Sequence, residues 1–309
     1  MLICSRTYYL FSICTFCAFC SLTEIYSQDL EPGLLSSVPI GGNFAIAAYG
    51  RSTGNILLDN SLPVEDLNAR LNNFLLGYAH SFKLFNKVAK FDAIIPYAFG
   101  DFKGLLEGVP AQRERSGFAD PSFRLSLILL GLKPLKPVDF FQEEQKKFKL
   151  GASLRISVPL GQYYEDKLIN LGTNRWSFKT GLAGSYTLNK KLIFELHLDT
   201  WLFTDNNDFF GGNTQTQEPL FGAQLHATYI FTHRFWMALS LGEVFGGKIA
   251  VNGVEKEMLN NSRYGISAAY KLKKNHSLKA SFTNRLYTRT GNDFNTLLIA
   301  YQFMWFRKN

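Results

Sequence analysis

The sequence predicts an all-β fold, a transmembrane antiparallel up-and-down β-barrel of about twelve strands. The first observation is a long alternation of apolar and polar residues, which is typical of strands with one apolar face. The second is the length of these spans, about 12 residues, against roughly 5–6 in an average soluble strand and roughly 9–11 in a tilted membrane strand. The third is an aromatic content of 15%, which suits aromatic girdles at two membrane surfaces.

Two spans, residues 149–160 and 191–202, show the alternation clearly. Each places apolar side chains at every second position and mostly polar or small residues between them, so we expect one face to contact lipid and the other to face a lumen. The apolar positions are Leu150, Ala152, Leu154, Ile156, Val158 and Leu160 in the first span, and Leu192, Phe194, Leu196, Leu198 and Leu202 in the second.

A soluble β-sandwich is the alternative fold for such strands. Six consecutive predicted strands between residues 147 and 273 each keep one apolar and one mixed face. A sandwich would need a second sheet of similar length to cover these apolar faces. The pattern therefore favours the barrel.

The N-terminus has the features of an export signal. Arg6 is followed by an uncharged apolar stretch at 8–22, which is too short to span a bilayer as a helix. We expect a signal peptide at 1–27 with cleavage after Ser27; a lipoprotein anchored through Cys20 is the weaker alternative, because bulky Phe19 precedes that cysteine. All four cysteines lie within this segment, so the mature chain is expected to lack disulfides and thiol ligands.

Twelve strand candidates follow, joined by connections that alternate between long and short. This alternation is typical of outer-membrane barrels, with short periplasmic turns and longer outside loops. It predicts that both chain ends are periplasmic. Two connections break the pattern, a long one at 133–146 and a short one at 291–293. The predicted strands are 43–52, 72–84, 88–102, 122–132, 147–160, 173–188, 191–204, 219–232, 235–246, 263–273, 277–290 and 294–306.

The mature chain is therefore divided into an N-terminal segment at 28–42 and a single barrel domain at 43–309. The segment contains proline, glycine and several aliphatic residues without strand alternation. It is either a plug inside the lumen or a periplasmic tail. The final strand ends in aromatic residues, which resembles the signal read by the barrel-assembly machinery, an expected partner together with outer-membrane lipids.

The polar face of the strands predicts a charged lumen and a path for solutes. Basic residues outnumber acidic ones, which favours anions in a confined space; the alternative is that ion pairs within the wall, or with the plug, neutralise the excess. Twelve strands lie between small filled barrels and wide pores, so we expect a narrow, gated or plugged conduit. The predicted lumen residues are Arg124, Lys149, Arg155, Arg175, Lys179, Lys279, Arg285 and Arg289, with Lys271 as a further base, Asp92, Glu195 and Asp199 as acids, and the histidines His197 and His226.

Catalytic and metal sites are not expected. Glu195, His197 and Asp199 share one strand face, and a hairpin symmetric about the glycines at 211–212 would place His226 opposite His197. Such a cluster could act as a general base, but no Gly-x-Ser-x-Gly or His-Glu-x-x-His motif accompanies it. Acids at 205–208 resemble a calcium loop in composition but lack its spacing. A hydrogen-bond network and turn chemistry explain both groups, and no cofactor is expected.

The net charge of +8 raises the alternative of a nucleic-acid partner. No run of lysine and arginine, zinc-ligand spacing or RNA-binding motif accompanies the charge. We therefore expect no nucleic-acid partner, and the sequence leaves the oligomeric state open.

The chain resembles the outer-membrane family named for the MetA pathway of phenol degradation, whose members are regarded as transporters. The most specific stretch is Asp-Lys-Leu-Ile-Asn-Leu-Gly-Thr-Asn-Arg-Trp-Ser-Phe-Lys at 166–179, and the segment at 117–121 departs from the usual small-residue form at Phe118 and Ala119. The resemblance implies a barrel with an uptake role and names no substrate. Further matching segments are 29–32, 39–44, 151–154, 158–163, 203–212, 261–263 and 288–294.

These observations together predict a channel that passes small hydrophobic or amphipathic molecules, with aromatic acids among the candidates, by passive diffusion. Two alternatives stay open. One is a structural or adhesion barrel that acts through its loops, and the other is a lipid-modifying outer-membrane enzyme.

Overall fold

Twelve antiparallel strands form a closed barrel in the computed structural model, which describes residues 30–57 and 64–306. The predicted signal peptide, and the residues beyond 306, lie outside the described residues. The barrel strands are β1 (Gly42–Leu57), β2 (Val64–Leu84), β3 (Lys87–Leu106), β5 (Ser122–Leu130), β6 (Phe148–Ser157), β7 (Ser177–Leu188), β8 (Leu192–Phe203), β11 (Leu220–Thr232), β12 (Phe235–Gly246), β15 (Leu259–Lys273), β16 (His276–Thr288) and β17 (Gly291–Phe306). Around the barrel they follow the order β2-β1-β17-β16-β15-β12-β11-β8-β7-β6-β5-β3, and the β2–β3 pairing closes the sheet.

Each predicted strand corresponds to one barrel strand, which confirms the predicted fold class. The long connections contain more structure than predicted. β4 (Val109–Phe118) extends the wall by pairing with the outer half of β3. β9 (Asn206–Phe209), β10 (Asn213–Gln217), β13 (Ile249–Val251) and β14 (Val254–Glu255) form a separate four-stranded sheet between two long connections. These polar, glycine-punctuated strands are too short for their alternation to be visible in sequence.

The side-chain alternation separates the lipid face from the lumen as predicted. Leu196 and Leu198 are 45% and 51% exposed, whereas the alternate residues Glu195, His197 and Asp199 are buried. Because apolar residues cover the outside, the polar residues of each strand converge inside. Among residues 30–57 and 64–306, no helix is long and apolar enough to cross a membrane.

The short connections gather at one end of the barrel, called here the short-turn end. The turns after β2 and β7 have positive φ at both central residues, Phe85–Asn86 and Asn189–Lys190, as a two-residue type I′ hairpin requires. The long connection between β5 and β6 contains a short helix, α1 (Pro137–Phe140), whose Phe140 is buried. This connection explains the break in the loop pattern, because it folds over the short-turn end.

Candidate functional site

The N-terminal segment, residues 30–41, lies inside the barrel. It leaves the wall at β1, where Ser81 Oγ donates to Pro39 O at 2.7 Å and Ile40 N donates to Leu135 O at 2.9 Å. Residues 31–39 are all buried. The segment therefore extends from the short-turn end into the middle of the lumen.

Apolar side chains hold the lower part of this segment. Leu34, Leu35 and Val38 are at most 5% exposed. They pack against inward-facing apolar residues of the short-turn half of the wall. These wall residues are Phe44, Ala79, Val88, Ile128, Ala183, Trp236, Ala238, Ala269 and Met304.

Glycines in the wall make room for the segment. A Cβ atom at Gly151 would lie 2.5 Å from Leu35 Cδ2. Cβ atoms at Gly242 and Gly265 would lie 2.6 and 2.8 Å from the methyl groups of Leu30. Real Cβ atoms do not approach so closely, so these three positions accept the segment because they lack side chains.

Glu31 forms the central polar contact of the segment. Its two carboxylate oxygens accept hydrogen bonds from Arg124 Nη1 at 2.8 Å and Arg155 Nη2 at 2.5 Å. Its backbone N–H donates to Gln224 Oε1 at 3.1 Å, on the other side of the lumen. Arg124 also contacts Asp92, with Nε at 2.8 Å from Oδ2. Glu31 thus joins β5 and β6 to β11 across the interior.

Backbone groups of the segment satisfy three further charged residues. Gly33 N donates to the Glu195 carboxylate, and Lys90 Nζ donates to Leu34 O. Lys149 Nζ donates to Leu35 O at 3.1 Å and to Ser37 Oγ at 3.0 Å. Buried charges need such partners because desolvation is costly. The segment and the wall are therefore complementary in charge as well as in shape.

A second ion pair lies on the β7–β8 wall. Lys179 Nζ is 3.2 Å from Asp199 Oδ2 and 4.6 Å from the ring centre of Trp201. This pair and the Glu31 contacts use most of the central charges. In this closed arrangement the lumen cations are engaged within the protein rather than directed at open solvent.

The two lumen histidines touch, but not in the predicted register. Their ring centroids are 4.7 Å apart. In the register of β8 with β11, however, His226 lies opposite Glu195 and His197 lies opposite Gln224. The expected symmetry about residues 211–212 is wrong by two residues. The hairpin is centred on Gly211, which accounts for one residue, and the bulge between Asn213 and Gln215 accounts for the other. His226 Nδ1 lies 2.8 Å from Ser240 Oγ. In the part of the chain that the structure describes, neither Nε2 atom has a hydrogen-bond partner.

Ten of the fourteen predicted lumen residues are buried inside the barrel, with Asp92 among them, Lys271 is half-buried, and three lie elsewhere. Arg175, in the loop before β7, donates to Gln217 Oε1 at 2.5 Å and lies 4.5 Å from the ring centre of Phe203. Arg285 pairs with Asp293, and Arg289 with Glu257 at 3.0 Å, both at the long-loop end. The buried residues in the lumen are Asp92, Arg124, Lys149, Arg155, Lys179, Glu195, His197, Asp199, His226 and Lys279.

Sequence reasoning missed the role of Glu31, Lys90 and Gln224. Glu31 lies in a segment without alternation, so no periodic signal marks its direction. Lys90 and Gln224 lie on the inward parity of β3 and β11 and could have been found from the strand pattern.

The lumen wall is divided into two unlike sides. An apolar patch lies on β1, β2, β17 and Ile94 of β3. Most of the central charges lie on β5, β6, β7 and β8, with Lys90 and Asp92 of β3 next to them. An interior with one apolar and one charged side suits a solute with both characters. The apolar side contains Ile46, Ala48, Leu75, Ile94, Leu298 and Ala300.

At the long-loop end, the side chain of Asp120 connects the loops that contain the family-motif segments at 117–121, 158–163 and 166–179. Its carboxylate accepts from Gly161 N at 2.9 Å, Thr173 N at 2.8 Å and Thr173 Oγ1 at 2.7 Å. Nearby, Asn206 donates to Tyr163 OH and accepts from Asp208 N. Over residues 30–57 and 64–306, no group of three His, Cys, Asp or Glu side chains could hold a metal ion. Hydrogen bonding explains how these motif residues shape the barrel mouth.

Comparisons with known proteins agree with this fold. The model of a family described as "Putative MetA-pathway of phenol degradation" matches residues 50–303, and no curated protein sequence matches. The COG4313 outer membrane channel from Pseudomonas putida F1 superimposes with a TM-score of 0.77 at 22% identity, covering 90% of this chain and 100% of that one. The beta domain of the Bordetella autotransporter Brka does so with a TM-score of 0.50 at 12% identity, covering 86% and 100%. At these identities the similarity shows the fold, that of an outer-membrane barrel.

Proposed function

Because the chain belongs to the family described as "Putative MetA-pathway of phenol degradation", we propose that it is an outer-membrane channel for small hydrophobic or amphipathic molecules. Aromatic acids are the solutes that fit best, and passage is by passive diffusion. The short-turn end, where β1 begins and β17 ends, faces the periplasm, since short turns are periplasmic in barrels of this class.

One observation carries this proposal. The centre of the lumen is filled by the N-terminal segment rather than by side chains of the wall alone. A barrel with a purely structural role would fill its interior with its own inward side chains, as small barrels do. A removable segment in a lumen with an apolar and a charged side is instead what a gated conduit requires.

The alternatives have less support. An enzyme acting on lipids needs its reactive groups at the lipid boundary, whereas His197 and His226 are 1% and 2% exposed and lie in the lumen. An adhesion role would depend on the loops and would leave the complementarity between segment and lumen without a purpose.

A reversible lock on the segment tests the proposal. Leu35 Cδ2 lies 2.5 Å from the position of a Cβ at residue 151, so the two Cβ atoms are within roughly 5 Å, and small backbone adjustments reach the ~3.8 Å of a disulfide. The double variant Leu35→Cys with Gly151→Cys should be closed when oxidised and open to solutes when reduced.

The measurement is liposome swelling with benzoate, octanoate and a neutral sugar of similar size. We expect the reduced double variant to pass the two acids faster than the sugar, and the oxidised form to pass none of them quickly. The single variant Leu35→Cys is the control for the effect of the cysteine alone. Equal swelling in the oxidised and reduced forms would contradict a gate formed by this segment.

A further inference from the structure

The dipeptide Leu30–Glu31 places a carboxylate and an aliphatic group together at the centre of the lumen. The carboxylate contacts two guanidinium groups, one on each oxygen. The aliphatic group packs against Gly242 and Gly265 and lines a small cavity together with Trp201. This pair of features is also the minimal description of a small amphipathic acid.

We propose that Leu30–Glu31 occupies the binding site of the transported acid, so that an anionic solute opens the channel by displacing it. The site takes a monocarboxylate with a compact apolar body, such as an aryl or short branched group. This inference rests on the proposed channel function and names the solute class and the position of its binding site.

The geometry of the cationic part supports a carboxylate site. Arg124 and Arg155 are each 4% exposed, and neighbouring strands hold them side by side in direct register. Asp92 accepts a hydrogen bond from Nε of Arg124, which fixes that guanidinium and leaves Nη1 directed at the carboxylate. Charge-assisted hydrogen bonds of this kind are the strong ones for recognising a carboxylate.

Charge balance favours the exchange of one carboxylate for another. Among Arg124, Arg155 and Asp92, two positive charges face one negative charge when Glu31 is removed. Leaving an excess charge buried is costly, so the closed state holds Glu31 until another carboxylate replaces it. A neutral molecule of the same shape cannot make this replacement.

The apolar part of the site suits an aromatic or branched body. Gly242 and Gly265 leave the space along β12 and β15 that the Leu30 side chain occupies, and Trp201, packed over Gly222, supplies an aromatic surface. Lys179 Nζ, 4.6 Å from the Trp201 ring centre, adds positive charge beside this surface. The solute's apolar body would take the place of the Leu30 side chain.

The test is the accessibility of a cysteine in the segment. The native cysteines all lie at positions 4–20, so a single Ser36→Cys reports on the segment once the expected signal peptide is removed. Ser36 is 3% exposed in the closed state. The rate of maleimide labelling is measured in reconstituted protein with benzoate, and with benzyl alcohol as the neutral analogue.

Benzoate should raise the labelling rate saturably, by about tenfold at ten times its dissociation constant, and benzyl alcohol should not. Adding Glu31→Gln should raise the labelling rate in the absence of benzoate and reduce the further increase that benzoate gives. Adding Arg155→Gln should abolish the benzoate response, whereas Arg289→Gln at the exposed long-loop end should preserve it. If Arg155→Gln does not fold, Arg155→Lys should fold and show a weaker benzoate response.

Two results would overturn the inference: a labelling rate that benzoate leaves unchanged in the folded protein, or an equal response to benzyl alcohol. Swelling assays run in parallel distinguish failure of the displacement site from failure of the proposed channel function. Solute flux without a labelling response would reject the displacement site and keep the channel. A labelling response without flux would keep the site and reject the channel.

Discussion

Neutralising Glu31 should shift the channel towards its open state without unfolding the barrel. Glu31→Gln keeps the size of the side chain and removes the charge that faces Arg124 and Arg155 at 2.8 and 2.5 Å. Breaking a buried ion pair by changing one partner costs about 3–5 kcal/mol, because the other charge is left uncompensated. This cost falls on the docked segment and disappears when the segment leaves and water enters.

The size of the effect follows from this cost. Since each 1.4 kcal/mol is a factor of ten, the ratio of closed to open channels should fall by about 10²-fold at the lower limit and by several thousandfold at the upper limit. The apolar contacts of Leu34, Leu35 and Val38 remain, at about 1.5–3 kcal/mol each. They should keep the variant switching between states rather than permanently open.

Open probability in planar bilayers is the direct measurement, with heat-modifiable migration in electrophoresis as the check on folding. Glu107→Gln, at the exposed turn between β3 and β4, is the matched control and should leave the open probability unchanged. A folded Glu31→Gln channel with the open probability of the unmodified protein would refute the reasoning, because the ion pairs would then not hold the segment in place.

Three further predictions follow from the fold. Leu196→Arg should destabilise the barrel by about 2–4 kcal/mol, the cost of a charge that faces the bilayer midplane, whereas Ser153→Arg on the lumen face should cost less; urea unfolding in vesicles compares the two, and equal losses would reverse the assigned faces. Gly151→Leu should displace Leu35 and raise the open probability, and an unchanged open probability would show that the segment does not need this recess. An epitope tag at Asn252 should be detected on intact cells and one at Asn189 after permeabilisation, and the opposite result would invert the orientation.

Local sequence determined the strands and their two faces. An inward or outward direction follows from residue parity alone, which is why Glu195 and Leu196 could be assigned without a structure. The same rule identified ten buried lumen residues. It failed for Arg285 and Arg289, because parity gives the direction of a side chain and not its height along the barrel.

The strand register could not be predicted from the sequence, because it depends on the conformation of the loops. The assumption of a hairpin symmetric about residues 211–212 placed His226 opposite His197. A turn centred on Gly211 and a one-residue bulge between β9 and β10 together shifted this pairing by two residues. Nothing in the composition of this loop specifies the bulge. Contacts across neighbouring strands therefore remain ambiguous until the loop geometry is known.

The tertiary structure alone decided which groups the lumen charges contact. The sequence showed that basic residues outnumber acidic ones on the lumen face. It left open whether the N-terminal segment is a plug or a periplasmic tail. It could not show that the Glu31 carboxylate lies between Arg124 and Arg155, more than ninety residues away. Alternation encodes the wall because each strand carries its own pattern, whereas the position of a non-repeating segment depends on shape and charge that exist only after the barrel has closed.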